Sequence, residues 1–253
     1  MLTCFGFIPC HFILPVRTIC GIIDIMVKQA TLNQPIIKKA RYTKGEEIFH
    51  AVSHIVGGAF GIAALILLIV FGVLNQIGGV GLFAVMLYGI SIIIMYTMSS
   101  IYHFLRPNRA KKLFRIFDHC GIYLLIAGTY TPYCLIALGG TVAGFVLIGV
   151  IWGFAVLGIV LKAVSLKSKF VKVASMISYI VLGWAAVFAF GPLIERISTA
   201  GLWLLIAGGI AYTVGAVFYM FGRKKKGIHS VWHMFVLGGS ILHFLSILLF
   251  VVM

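Results

Sequence analysis

Long apolar runs separated by short polar breaks dominate the pattern of this chain. Runs able to cross about 30 Å of hydrocarbon at about 1.5 Å per residue fall at 49–74, 80–104, 116–138, 141–161, 171–192, 199–221 and 229–253, each bounded by Gly, Pro, Asn or charge. The pattern predicts seven transmembrane helices, an all-α polytopic membrane bundle, because in lipid only helices and closed barrels satisfy every backbone polar group. Small residues four apart, Gly57 with Gly61 and Gly149 with Gly153, are candidate points of close helix approach.

The breaks are of two alternating kinds. Asn75–Gly79, Gly139–Gly140 and Leu193–Ser198 are nearly uncharged, whereas the N-terminal arm and the second, fourth and sixth loops are basic. Of the 20 Lys and Arg, all but Arg196 fall on the basic side. Since Lys and Arg concentrate in cytoplasmic loops, the N-terminus is expected in the cytoplasm and the C-terminus outside. An even number of spans would break this partition. Residues 1–45 are expected to form a cytoplasmic arm and 46–253 the transmembrane domain. Pro9, His11, Pro15, Arg17 and Asp24 interrupt the apolar start, which argues against an eighth span. A signal peptide also fits poorly, since an n-region charge and a small-residue cleavage site are missing. Met26 opens a conventional basic arm and is an alternative start.

Composition agrees with the pattern. Of 253 residues, 62% are hydrophobic and 10% charged, and the mean hydropathy is +1.15, against roughly 25% charged residues in soluble domains. A soluble enzyme or a disordered chain is excluded. A net charge of +15 would suggest nucleic acid in a soluble protein, but here the loops account for it. No basic stretch is interleaved with the exposed aromatics that nucleic-acid binding uses. Membrane lipids are the expected partners. Cys4, Cys10, Cys20, Cys120 and Cys134 form no CxxC pair and are expected to stay reduced.

Ionisable side chains inside membrane spans are expensive, which makes each a candidate functional residue. They are Glu46, Glu47, His50 and His54 on the first helix, His103 on the second, Asp118 and His119 on the third, and His229, His233 and His243 on the seventh. In the expected orientation nearly all lie at one depth, near the cytoplasmic ends. His229 and His233 in HSVWH are four apart, which puts both imidazoles on one helix face about 6 Å apart along the axis. With His103 they make three ligands, and three His plus a water is the stoichiometry of a catalytic zinc site with an open position. Ser99 sits one turn from His103, and Asp118 follows across a short hairpin. Asp118 can orient or deprotonate a water, or it can be a helix N-cap. His50 and His54 form a second HxxxH that alone could be another metal pair, but with Glu46 and Glu47 at a helix N-terminus they are expected to support or gate the site. His119 and His243 are expected at the interface, bonding a headgroup or carbonyl; His243 lies about 15 Å beyond His233 along the helix. The Ser53, Ser91, Thr129, Thr131 and Pro132 positions are read as packing and a kink.

The motifs SxxxH at Ser99–His103, DHCGIYLLIAGTYTP at Asp118–Pro132, HSVWH at His229–His233 with His243–Phe244 following, and GEEIFHAVSH at the first helix resemble the hemolysin III family. That family is the bacterial branch of the progestin and adipoQ receptors, in a superfamily that includes the alkaline ceramidases. The resemblance covers about 45–253 and implies a bacterial inner-membrane protein. It implies a cytoplasmic-side zinc held by His103, His229 and His233, with Asp118 and Ser99 as catalytic residues beside it. Three functions are then open: a zinc-dependent lipid amide or ester hydrolase, a non-catalytic regulator of membrane state with structural zinc, and a pore-forming cytolysin.

Overall fold

The computed structural model describes residues 42–166, 168–221 and 227–253, together with Gly21 and Asp24. Nearly all of the expected arm, with Met26 and three of the cysteines, lies outside the described residues. Among those described, seven helices are long and apolar enough to span a membrane. They are α1 (Lys44–Leu74), α2 (Gly78–Phe104), α3 (Arg109–Ala137), α4 (Val142–Ser165), α5 (Lys169–Ile194), α6 (Thr199–Met220) and α7 (Ile228–Val252). Short connections make sequential helices antiparallel neighbours, and α7 returns to pack on α1.

Two helices begin several residues before their apolar runs because polar side chains cap them. Thr43 Oγ1 accepts from the Glu46 amide at 3.2 Å while Glu46 Oε2 accepts from the Thr43 amide at 2.8 Å, a reciprocal capping box. Asn108 Oδ1 accepts from the Lys111 amide at 2.8 Å and starts α3 at Arg109. Asp118 therefore lies nine residues inside α3, and the reading of it as an N-cap is overturned. Pro132 does mark an irregularity: the α-helix ends there and a π-helical turn, Tyr133–Ala137, completes the span.

The least apolar span is the most enclosed. The best membrane window of α3 has a mean hydropathy of 1.4 and is 67% buried inside the bundle, against 22% for α5. After α3 the most buried are α7 and α2, at 50% and 44%. Polar residues are tolerated in these three helices because protein, rather than lipid, surrounds them.

The two glycine pairs have different fates. A Cβ on Gly61 would lie 2.8 Å from Ile92 Cγ2 and 3.2 Å from the Ile93 amide nitrogen, and one on Gly89 would lie 3.1 Å from Leu65 Cα. Here α1 and α2 touch nearly backbone to backbone. Gly149 and Gly153 have nothing within 4 Å, so the close approach expected there is absent and that face of α4 points outward. Gly61→Leu is expected to lower the melting temperature in detergent by about 3–10 °C, from overpacking of about 1–3 kcal/mol. Gly153→Leu should move it by less than about 1 °C, and equal shifts would contradict the assignment.

Candidate metal centre

The site is assembled where the first turns of α1 and α7 meet. Gly227 adopts a left-handed conformation (φ 79°) just before α7, a backbone state open to glycine at no steric cost. Its amide donates to Glu46 Oε1 at 2.8 Å. The carboxylate that caps α1 thus also fixes the entry of α7, and His50 arrives beside His229 and His233. From α2, His103 completes a cluster: one ring nitrogen from each of His50, His103, His229 and His233 lies within 4.8 Å of every other. His50, His103 and His233 are buried.

Partners on two rings, His103 and His233, decide which nitrogen is left to bind. His103 Nδ1 meets Glu47 Oε2 at 2.7 Å, and Lys111 Nζ donates to Glu47 Oε1 at 2.8 Å. An imidazole that donates one N–H to a carboxylate presents the other nitrogen as a lone pair, the usual arrangement behind a metal ligand. Ser53 donates to the His50 carbonyl at 2.9 Å and its oxygen faces His233 Nδ1 at 3.2 Å. Its only hydrogen being used, Ser53 accepts from His233, which leaves His233 Nε2 free to bind. That atom lies 3.2 Å from His229 Nε2. Metal–nitrogen bonds of about 2.0–2.1 Å in a tetrahedron set neighbouring nitrogens roughly 3.4 Å apart, so this pair already stands at nearly the spacing of two ligands. His50 Nε2 is held by Ser230 Oγ at 3.0 Å, while its Nδ1 is buried without a hydrogen-bond partner. An unsatisfied buried group costs about 1–3 kcal/mol, and a metal bound there removes that cost. The donor set fits a borderline cation, since imidazoles suit Zn, Cu and Ni.

The sequence reading treated His50 as supporting, whereas the structure sets it among the donors. Glu47 backs His103, and Glu46 forms the latch rather than facing the cluster. His54 packs on His233 with ring centroids 4.1 Å apart. Ser99 on α2 and Asp118 on α3 sit on helices packed against each other. Both residues line the same cavity of about 170 Å³ as His103, His229 and His233. Sequence reasoning missed Ser230 and Tyr42, and had read Ser53 as packing. The Tyr42 ring stacks on His229 at 4.9 Å and meets His50 at 5.0 Å, yet nothing in the spacing marks it. Lys111 and Lys162, counted among the loop charges, are buried. His243 is not interfacial: it is buried inside the bundle and lines the cavity.

Fold and site together define a multi-pass integral membrane protein with a buried histidine cluster at one end of the bundle. The family described as Haemolysin-III related matches residues 42–244, and the chain belongs to it. It is 41% identical to Hemolysin-3 of Bacillus cereus over 206 residues, covering 81% of this chain and 92% of the relative. Hemolysin-3 homolog of Bacillus subtilis (strain 168) is 38% identical over 211 residues, covering 83% and 97%. A more distant relative is the human Monocyte to macrophage differentiation factor, 26% identical over 170 residues, 64% of this chain and 67% of that protein. Seven spans and bacterial relatives place the protein in the bacterial inner membrane.

Glu47→Gln is expected to weaken the binding of an added metal ion at the cluster about 10–100-fold, the usual cost of losing a ligand's hydrogen-bonded carboxylate. Competition with a chelator on detergent-purified protein measures it, and unchanged affinity would remove Glu47 from the site.

Proposed function

We propose that the protein is a zinc-dependent hydrolase of a lipid amide or ester, working at the cytoplasmic leaflet. The observation that carries this reading is that the histidine cluster, Asp118 and Ser99 line one cavity. Zinc in such a site supplies Lewis acidity and brings the pKa of a coordinated water toward about 7. The protein's own groups do the rest. Asp118 is the general base that takes up a proton, and Ser99 holds the carboxylate in place or donates to the oxygen on which charge develops. Glu47 and Ser53 keep two imidazoles turned nitrogen-first toward the centre. Met95, Ile122, Leu125 and Ile126 give the cavity an apolar wall suited to a chain entering from the bilayer.

The cytoplasmic assignment follows from charge. Lys44, Arg106, Arg109, Lys112, Arg115, Lys169 and Lys172 lie in the helix ends and loop on the cluster side of the bundle, while Arg196 lies in a loop on the opposite side.

One observation favours a second reading. Four imidazoles fill a tetrahedral shell, and closed sites are structural, so zinc that only ties α1, α2 and α7 together would make a non-catalytic regulator. The names of the Bacillus relatives suggest a third, membrane lysis, which needs a water-lined path. Toward the opposite face, however, Tyr133 donates to Ser246 at 2.8 Å and Ser246 to the Gly201 carbonyl at 2.8 Å, so these interior polar groups satisfy one another.

In proteoliposomes carrying ceramide or phospholipid, Asp118→Asn is expected to cut turnover about 100-fold or more while zinc content stays that of the wild type. A His233→Ala protein that kept both full zinc and full turnover would refute the hydrolase reading. No turnover by the wild type, with melting lowered by chelation, would establish the regulator.

A further inference from the structure

The cavity that starts at the histidine cluster has a second polar point deep in the membrane. His243 follows His233 by ten residues on α7, about 15 Å farther into the bundle, and it lines the same cavity. It is 6% exposed, and its Nδ1 has no hydrogen-bond partner. The cavity's other deep polar groups are engaged within the protein. Thr129 donates to the Leu125 carbonyl at 2.7 Å, Tyr130 to that of Gly183 at 3.0 Å, and Thr213 to that of Gly209 at 2.8 Å. Tyr212 pairs with Ser240 at 2.8 Å.

The ring is nonetheless held in place. Tyr212 stacks on it with centroids 5.4 Å apart and planes 20° apart. Gly208 makes room behind it, since a Cβ there would lie 2.6 Å from His243 Nε2. An imidazole fixed by stacking and by a glycine, without a hydrogen bond to offset its burial, is costly in a bundle interior. A ligand oxygen that bonds the ring through its other nitrogen, Nε2, offsets part of that cost.

We propose that His243 is a recognition residue for an oxygen substituent partway along the acyl chain of the cavity's occupant. The occupant is a single-chain amphiphile with its carboxyl or carbonyl end at the histidine cluster and a hydroxyl opposite His243. A depth of about 15 Å corresponds to roughly a dozen carbons of extended chain, since C–C bonds of about 1.5 Å at the tetrahedral angle advance about 1.25 Å each. A hydroxy-acyl lipid substituted near its twelfth carbon meets both points. The inference rests on the cavity taking a lipid, as in the function proposed above, but not on hydrolysis.

The test compares stearate with 12-hydroxystearate as competitors of a fluorescent fatty acid on full-length protein in detergent. The hydroxylated chain should bind the wild type roughly five- to tenfold more tightly, the worth of one hydrogen bond. His243→Phe should bring the ratio to about one while stearate affinity holds. Gly208→Ala, which displaces the ring and keeps the imidazole, should reduce the ratio too, guarding against a folding defect specific to the first variant. Metal-stripped protein should keep the preference, which separates failure of this inference from failure of the zinc chemistry. Equal affinities in the wild type, a preference that survives His243→Phe, or no displacement by either fatty acid would each overturn it.

Discussion

The structure depends on one constraint: a polar group inside a membrane bundle must find its partner within the protein. Nine of the ten ionisable residues singled out in the spans, all but His243, sit toward one end of the bundle, and their arrangement follows from that rule. Glu47 takes its partners from α2 and α3, His103 and Lys111. Glu46 takes its partner from the entry of α7. Each pairing joins helices that lipid alone has no reason to bring together, since acyl chains are as apolar as the helices' outer faces. What remains after these pairings is a set of four imidazole nitrogens within 4.8 Å of one another, and a shared cation is a partner able to satisfy all of them at once.

The same rule orders the bundle. The helix with the lowest mean hydropathy, α3, is the most enclosed, and α2 and α7 follow it. These are the helices that carry Asp118, His103, His229 and His233. Ionisable residues and burial therefore coincide for a physical reason: only where protein has replaced lipid around them can a carboxylate and several imidazoles be kept at membrane depth. The outer helices α4 and α5 contribute apolar surface and, at Gly149 and Gly153, faces that touch nothing in the protein.

Hydropathy and charge alternation were enough to read seven spans from the sequence, and the i, i+4 spacing in HSVWH to read two members of the cluster. Hydropathy could not show where α1 and α3 begin, because Thr43 and Asn108 extend them through charged turns by capping. His50 was legible as a residue near the site but not as a donor. Its role depends on how α1 packs against α7, where contacts such as the bond between Glu46 and Gly227 join residues 181 apart. Ser53 and Ser230 orient imidazoles 180 residues away in the chain, and no local pattern encodes such a pairing. His243 was misplaced for the opposite reason: single-residue reasoning puts an isolated histidine at the interface, whereas packing against Tyr212 and Gly208 keeps it deep.

The central claim is that histidines from α1, α2 and α7 hold a single metal ion. Elemental analysis of detergent-purified wild-type protein beside the His103→Ala, His229→Ala, His233→Ala triple variant tests it most directly. A single zinc per wild-type chain that is lost from a still-folded triple variant is the expected result. A wild type without bound metal, or a variant that holds as much as the wild type, would contradict the account.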